Sequence, residues 1–154
     1  MFQIPGLPSQ KSIFALLVER FLKAEALAEG KESGLPSRMK CKLMIMTSQD
    51  THDETVSFFQ ANSFFGGCSE NFYFFKQPVL PALDTYGKII MKSPHELSLA
   101  PNGNGGVLDA IRLSPEVQQA LEQVDFVQIC GVDNVLNRLL DPLMVGYCSR
   151  NNLQ

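Results

Sequence analysis

No excess of basic residues marks this chain: Lys and Arg number 13 against 16 Asp and Glu, for a net charge of −3. Without a Lys/Arg stripe to neutralise phosphates, a nucleic-acid polymer is excluded as the main partner; a short anionic ligand, which needs only a few donors, is not. The four cysteines (Cys41, Cys68, Cys130 and Cys148) show no Cys-x-x-Cys spacing and no adjoining His, which argues against a zinc site. With no secretory signal, they read as reduced thiols of a cytoplasmic protein. Long apolar runs are also lacking. "IFALLV" (13–18) and "LMIM" (43–46) are far too short to cross a bilayer, so no membrane span is expected. "MFQIPGLPSQK" has neither the charged start nor the apolar centre of a signal peptide. Neither the dinucleotide fingerprint nor the Lys-containing phosphate loop occurs. No internal repeat or linker divides the 154 residues, so a single domain over 1–154 is expected.

What is present is an alternation of helical and strand patterns. Ile13, Leu17, Phe21, Ala24 and Ala28 fall on one helical face of 11–29, with Ser9 or Ser12 as cap and Gly30 as stop. "KESGLPSRMK" (31–40) reads as a loop and "CKLMIMTS" as a buried strand. Thr51 and Glu54 have capping-box spacing ahead of a helix carrying Val56 and Phe59. "NFYFFK" (71–76) is a second strand, halted by Pro78 and Pro81, and "YGKIIM" (86–91) a further short one. Asn104 is placed to cap a helix with Val107, Leu108 and Ile111 inward; Ser114-Pro115 opens another. "DFVQIC" (125–130) reads as a third core strand closed by "GVDN", and Asp141-Pro142 opens the last helix. The phenylalanines from Phe58 to Phe75 sit at core spacing. This order predicts an α/β fold with a mostly parallel sheet flanked by helices. A helix comes first, which leaves such a sheet without its opening strand.

In open α/β sheets, ligands gather beyond the carboxyl ends of the strands. Thr47-Ser48, Gln77 and Asp133-Asn134 are predicted to fall there, beside the Gly-rich turn of "LAPNGNGG" at the mouth of a helix. Free N–H groups at such a mouth favour an anion or a carbonyl, although glycines supplying positive φ to a plain turn would read the same locally. Gln77 has the chemistry to tell pyrimidines apart: its amide accepts from the N3–H of uracil, which cytosine lacks, and donates to a ring carbonyl. A surface or capping amide is the other reading. Asp133 offers a hard oxygen of the kind Mg²⁺ takes together with phosphate oxygens, or a cap for the next turn. His52 and His95 have no partner at a catalytic spacing and read as ordinary polar residues.

Taken in order, "GLPSQKSIF", "IMTS" with "FF" and "FFG" after it, "FFKQPVLPAL", "LAPNGNGG" and "GVDN…DP" resemble the eukaryotic UDP-N-acetylglucosamine pyrophosphorylases, from about Gly6 to the last helix. The resemblance implies a Rossmann-like nucleotidyltransferase fold and an Mg²⁺-dependent uridylyltransferase. Such an enzyme makes UDP-N-acetylglucosamine and pyrophosphate from UTP and N-acetylglucosamine 1-phosphate, and N-acetylgalactosamine 1-phosphate is an equal candidate. It gives Gln77 and the Gly103 backbone the uracil, Asn104 the N-acetylated sugar, and Asp133 the nucleotide phosphates with Mg²⁺. Three departures stand out: Asn102 where the family has aspartate, Pro78 where it has glycine, and Pro5 as an insertion. The resemblance further implies an incomplete catalytic domain, an internal segment between the family's "GGxGTRLG" loop and its C-terminal part. On that account the segment supplies a uridine and sugar half-site. The alternatives are a non-catalytic remnant that binds uridine nucleotides weakly or acts as an interaction module, and another UDP-sugar pyrophosphorylase.

Overall fold

The computed structural model describes residues 9–28, 41–122, 124–134 and 136–153. The expected stop at Gly30, the loop at 31–40 and Pro5 lie outside these residues. Helix α1 covers Ile13–Ala28. Ser12 caps it: its Oγ accepts the Ala15 N–H at 3.2 Å and its carbonyl the Leu16 N–H at 3.1 Å. Strand β1 (Leu43–Thr47) pairs with β2 (Phe72–Lys76), as read from their apolar runs. Helix α2 spans His52–Ala61. Its entry is held three residues earlier than the expected Thr51–Glu54 box. Ser48 Oγ takes the Thr51 N–H and Thr51 Oγ1 takes the Ser48 N–H, each at 3.2 Å. The reciprocal logic of a capping box survives, displaced onto Ser48 and Thr51.

Two compact units emerge from the chain: residues 44–58 with 73–122, and 1–43 with 59–72 and 123–154. In the first, β3 (Val79–Pro81) and β6 (Leu99–Pro101) form an antiparallel ladder with Val79 opposite Pro101 and Pro81 opposite Leu99. Beyond it, β4 (Met91–Ser93) pairs antiparallel with β5 (Glu96–Leu97). The turn between β3 and β4 is tied by Asp84, whose Oδ1 accepts the N–H of Tyr86 and of Lys88. Helix α3 (Val107–Arg112) and helix α4 (Pro115–Leu121) follow. Val107, Ala110 and Ile111 on one, and Val117, Ala120 and Leu121 on the other, repeat the i, i+3, i+4 spacing of a buried face. Phe75, Ala110 and Val117 form the core, with Met44, Met46 and Tyr73 packed against it. Leu108, expected inward, is 59% exposed because it sits off that stripe. Ser114 does precede Pro115 as the cap, but through its carbonyl, which receives the N–H of Val117 and Gln118.

The second unit has an aromatic centre. The Phe59 ring meets those of Phe14, Phe65 and Phe72, with centroids 5.2 to 5.9 Å apart, and Phe72 also meets Phe21 and Phe64. Ser63, Phe64 and Phe65 hold φ near +50° to turn two of these rings inward. That backbone costs about 1–2 kcal/mol per residue, offset by the burial it permits. Gly67 is required here, because a Cβ would stand 2.7 Å from the Phe72 ring. The last helix, α5 (Pro142–Arg150), opens as expected, with Asp141 Oδ1 accepting the Leu143 N–H at 3.0 Å.

One expected element is absent. Residues 125–130 form no strand, and Val127 and Ile129 are 59% and 64% exposed. An apolar run becomes a core strand only when a neighbour pairs with its backbone, and no described strand does so here. Side chains hold it instead: Gln128 Oε1 accepts the Leu140 N–H at 2.6 Å and its Nε2 donates to the Arg138 carbonyl. The expected mostly parallel sheet is likewise not seen as such, since the β3–β6 and β4–β5 pairs are both antiparallel.

Candidate functional site

The "QPVLPAL" and "LAPNGNGG" segments meet through the β3–β6 ladder. Its register continues one step past the strands, where the Asn102 N–H donates to the Pro78 carbonyl at 3.1 Å. Gln77 directly precedes Pro78 and Gly103 directly follows Asn102, so both adjoin this last bond. Gln77 is also anchored from the other side, its N–H donating to the Thr47 carbonyl at 2.8 Å. The backbone of Gln77 is therefore fixed between the end of β1 and the Gly-rich turn.

Its side chain is not satisfied. Gln77 Oε1 is shielded from solvent and accepts no hydrogen bond among the described residues. A buried acceptor left unpaired costs roughly 1–3 kcal/mol, so it marks strain, function or both.

Gly103 has φ +77° and ψ −171°, a backbone state reserved for glycine. A Cβ there or at Gly105 would meet no protein atom within 4 Å. At Gly103 it is the dihedral, not crowding by the protein, that demands glycine. Gly106 differs: it is buried, and a Cβ would lie 3.0 Å from Asn102 Cβ and 3.1 Å from its Nδ2. Asn102 thus packs over the mouth of the helix.

Asn104 does not cap α3, as its position had suggested. It begins a short 3₁₀ turn, Asn104–Gly106, that runs into the helix; Gly106 precedes Val107 and no side chain caps it. The Asn104 amide is exposed and bonds to no described residue.

Asp133 belongs to the second unit, on the "GVDN" turn. Asn137 and Asn134 stitch this turn. Asn137 Nδ2 donates to the Gly131 carbonyl at 3.2 Å, and Asn134 joins Asn137 Oδ1 at 3.0 Å and the Leu136 N–H at 3.1 Å. The Asp133 carboxylate leans over Gly131, where a Cβ would stand 2.5 Å from its Oδ1. It is exposed, with no hydrogen bond or ion pair to a described residue. A hard oxygen with open lone pairs fits one of the one or two carboxylates that Mg²⁺ uses beside phosphate oxygens. No group of three or more His, Cys, Asp or Glu gathers as a metal cage among the described residues.

Other features carry less chemistry. None of the four cysteines forms a disulfide, and desolvation pushes the Cys130 thiol up, so it is protonated and a poor nucleophile at neutral pH. A cavity of about 340 Å³ lined by Leu22, Glu25, Gly67 and Asn71 holds none of the predicted residues. Two of its polar groups satisfy each other, Asn71 Nδ2 donating to Glu25 Oε1 at 2.7 Å. No described helix is long and apolar enough to cross a membrane. His52, which had read as an ordinary polar residue, is bonded to Thr47, one of the residues expected at the strand ends, Nδ1 to Oγ1 at 2.8 Å. The Thr-to-His spacing at a strand end before a helix was the one signal available for this pair.

The family model described as UTP–glucose-1-phosphate uridylyltransferase matches residues 11–154. Among curated relatives, UDP-N-acetylglucosamine diphosphorylase 2 of Arabidopsis thaliana is 41% identical over 145 residues, covering 92% of this chain and 29% of its own length. The UDP-N-acetylglucosamine pyrophosphorylase of Saccharomyces cerevisiae is 34% identical over 152 residues, 97% of this chain and 30% of that one. The crystal structure of the Trypanosoma brucei uridine diphosphate N-acetylglucosamine pyrophosphorylase in complex with inhibitor superposes with TM-score 0.84 at 32% identity, over 98% of this chain and 31% of that chain. The chain thus spans about 30% of the length of the curated relatives it matches. With the model matching nearly the whole chain, the protein belongs to the UTP–glucose-1-phosphate uridylyltransferase family.

Proposed function

We propose that this chain carries the uridine and sugar half-site of a cytoplasmic UDP-N-acetylglucosamine pyrophosphorylase on a Rossmann-like scaffold. The observation that carries this reading is the buried Gln77 Oε1, unpartnered among the described residues, in the unit that also holds the Gly-only backbone of Gly103. Uracil offers an N3–H to that oxygen and a carbonyl to the Gln77 amide N–H, which turns a destabilising orphan into a selective contact. The open space over Gly103 lets a planar base lie against the main chain. Asn104, exposed on the following turn, supplies an amide to the N-acetyl group of the sugar.

In the reaction, the phosphate oxygen of the sugar 1-phosphate attacks the α-phosphorus of UTP. The bond from that phosphorus to the β-phosphate bridging oxygen breaks, and pyrophosphate leaves. Alignment and charge neutralisation drive such a transfer, with no covalent protein intermediate. Asp133 would hold Mg²⁺, which would neutralise phosphate charge when bound. In this reading Gln77 and Gly103 fix the nucleoside end, so that the phosphates are presented in a single direction.

The test is calorimetric titration of the chain with UTP and Mg²⁺, with CTP as control and a Gln77→Ala variant beside it. Binding of UTP in excess of CTP that vanishes in the variant is the expected result. Equal affinity for both nucleotides in the folded chain would sink the half-site reading and leave a family member without a formed pocket. A second reading, selectivity for a UDP-hexose without the N-acetyl group, is favoured by the family description. Comparing UDP-N-acetylglucosamine with UDP-glucose, in the chain and in Asn104→Ala, separates the two.

A further inference from the structure

Three groups converge on Thr47, the last residue of β1, which is 5% exposed. Its carbonyl accepts the Gln77 N–H at 2.8 Å. Its hydroxyl lies 3.2 Å from the Phe75 carbonyl and 2.8 Å from His52 Nδ1. A hydroxyl has one proton, and a carbonyl oxygen only accepts. If the Thr47 proton goes to Phe75, His52 Nδ1 must be the donor, and all three groups are satisfied. If it goes to His52, two oxygens face each other at 3.2 Å with no proton between them in a nearly dry setting. The first arrangement is the one that wastes nothing.

We propose that His52, protonated on Nδ1, is a positioning residue for the base-reading Gln77. It donates to Thr47, and Thr47 grips β2 at Phe75 and at Gln77, on either side of Lys76. The grip fixes the exit of β2, and with it the direction in which the Gln77 amide leaves the strand. Pro78 restricts Gln77 to extended backbone from the other side. The amide is thereby held by covalent geometry after it and by a relay of hydrogen bonds before it. His52 itself is carried on the first turn of α2, held in turn by the Ser48–Thr51 pair. The inference deepens the uridine half-site reading and rests on it.

The experiment has a ligand arm and a ligand-free arm, both on the full chain. In the first, His52→Ala and Thr47→Val are expected to narrow the preference for UTP over CTP by roughly five- to tenfold, the worth of one net hydrogen bond. His52→Asn, whose amide places an N–H near the Nδ1 position, is expected to restore most of it. An unchanged preference in folded His52→Ala and Thr47→Val overturns the proposal. In the second arm, nitrogen NMR of the wild-type chain is expected to show a protonated Nδ1 on His52. Amide exchange at Gln77 is expected to quicken by roughly five- to tenfold in His52→Ala. A ring protonated only on Nε2, or unchanged Gln77 exchange, also overturns it. If the wild-type chain shows no UTP preference, the half-site reading fails by itself, and the ligand-free arm still decides the role of His52. Should the variants fail to fold, the wild-type tautomer decides.

Discussion

Two glycines show how differently the two units of the chain hold their predicted residues. Gly103, in the unit that carries Gln77, is glycine because the backbone there has φ +77° and ψ −171°. At Gly131, in the unit that carries Asp133, a Cβ would stand 2.5 Å from the Asp133 carboxylate, a crowding that side chain can relieve by shifting. The first requirement belongs to the main chain, the second to a movable side chain. The same contrast runs through each surrounding region. Gln77 and Gly103 adjoin a backbone ladder in which Val79 lies opposite Pro101 and the Asn102 N–H donates to the Pro78 carbonyl. The Asp133 turn is held largely by the side-chain amides of Asn134 and Asn137. A base reader needs fixed geometry, since selectivity depends on the angle of an amide. A carboxylate that meets a hydrated cation and phosphates tolerates adjustment. The Gln77 region is held by backbone and the Asp133 turn by side chains, which suits the first to preorganisation and the second to adjustment.

This comparison is exposed to experiment at several scales. Phe75→Ala removes the ring at the core of the Gln77 unit and should destabilise the chain by about 3–5 kcal/mol, read as a lower denaturant midpoint. A loss below about 1 kcal/mol would mean that the ladder end does not depend on this core. Gly103→Ala should cost about 1–3 kcal/mol from backbone strain and abolish the preference for UTP over CTP. Retained selectivity would show that the base does not lie on that backbone.

Gln77→Met should leave stability unchanged or raise it by about 1 kcal/mol, because a buried unpaired acceptor is removed, while the preference for UTP over CTP is lost. Thermal denaturation together with titration checks both parts; a clear destabilisation would assign the amide to structure. Gly131→Ala should move the denaturation midpoint by the equivalent of no more than about 0.5 kcal/mol, since only the exposed Asp133 side chain has to shift. Its expected effect is weaker Mg²⁺-dependent binding of UTP, with the preference over CTP intact. A change in that preference would join the two regions and break the contrast.

Local sequence made some of these elements legible. Ser12 before an apolar helical stripe gave α1, Ser114-Pro115 gave α4, and Asp141-Pro142 gave α5, because caps and fixed φ act within a few residues. The apolar runs of β1 and β2 declared themselves by composition. The run at 125–130 has the same composition and forms no strand, because a strand also needs a backbone beside it. The cap of α2 shifted to Ser48 and Thr51, where two hydroxyls are closer in geometry than the Thr51–Glu54 spacing suggested. Leu108 was misjudged by a single position on a helix too short to show its stripe.

Residue chemistry by itself determined a good deal: Gln77 as an amide able to accept from N3–H, Gly103 as a place of unusual backbone, and Asp133 as a hard oxygen. Those are properties of side chains and of local backbone freedom, and they travel with the sequence. Only the tertiary structure decided that the Asn102 N–H meets the Pro78 carbonyl, drawing the segments of Gln77 and Gly103 together, that Gln77 Oε1 is buried without a partner among the described residues, and that His52 reaches Thr47. Register and burial are relations between segments brought together by a core. No window of sequence contains them, because the entropy of closing the intervening loops is overcome by contacts that neither segment makes alone.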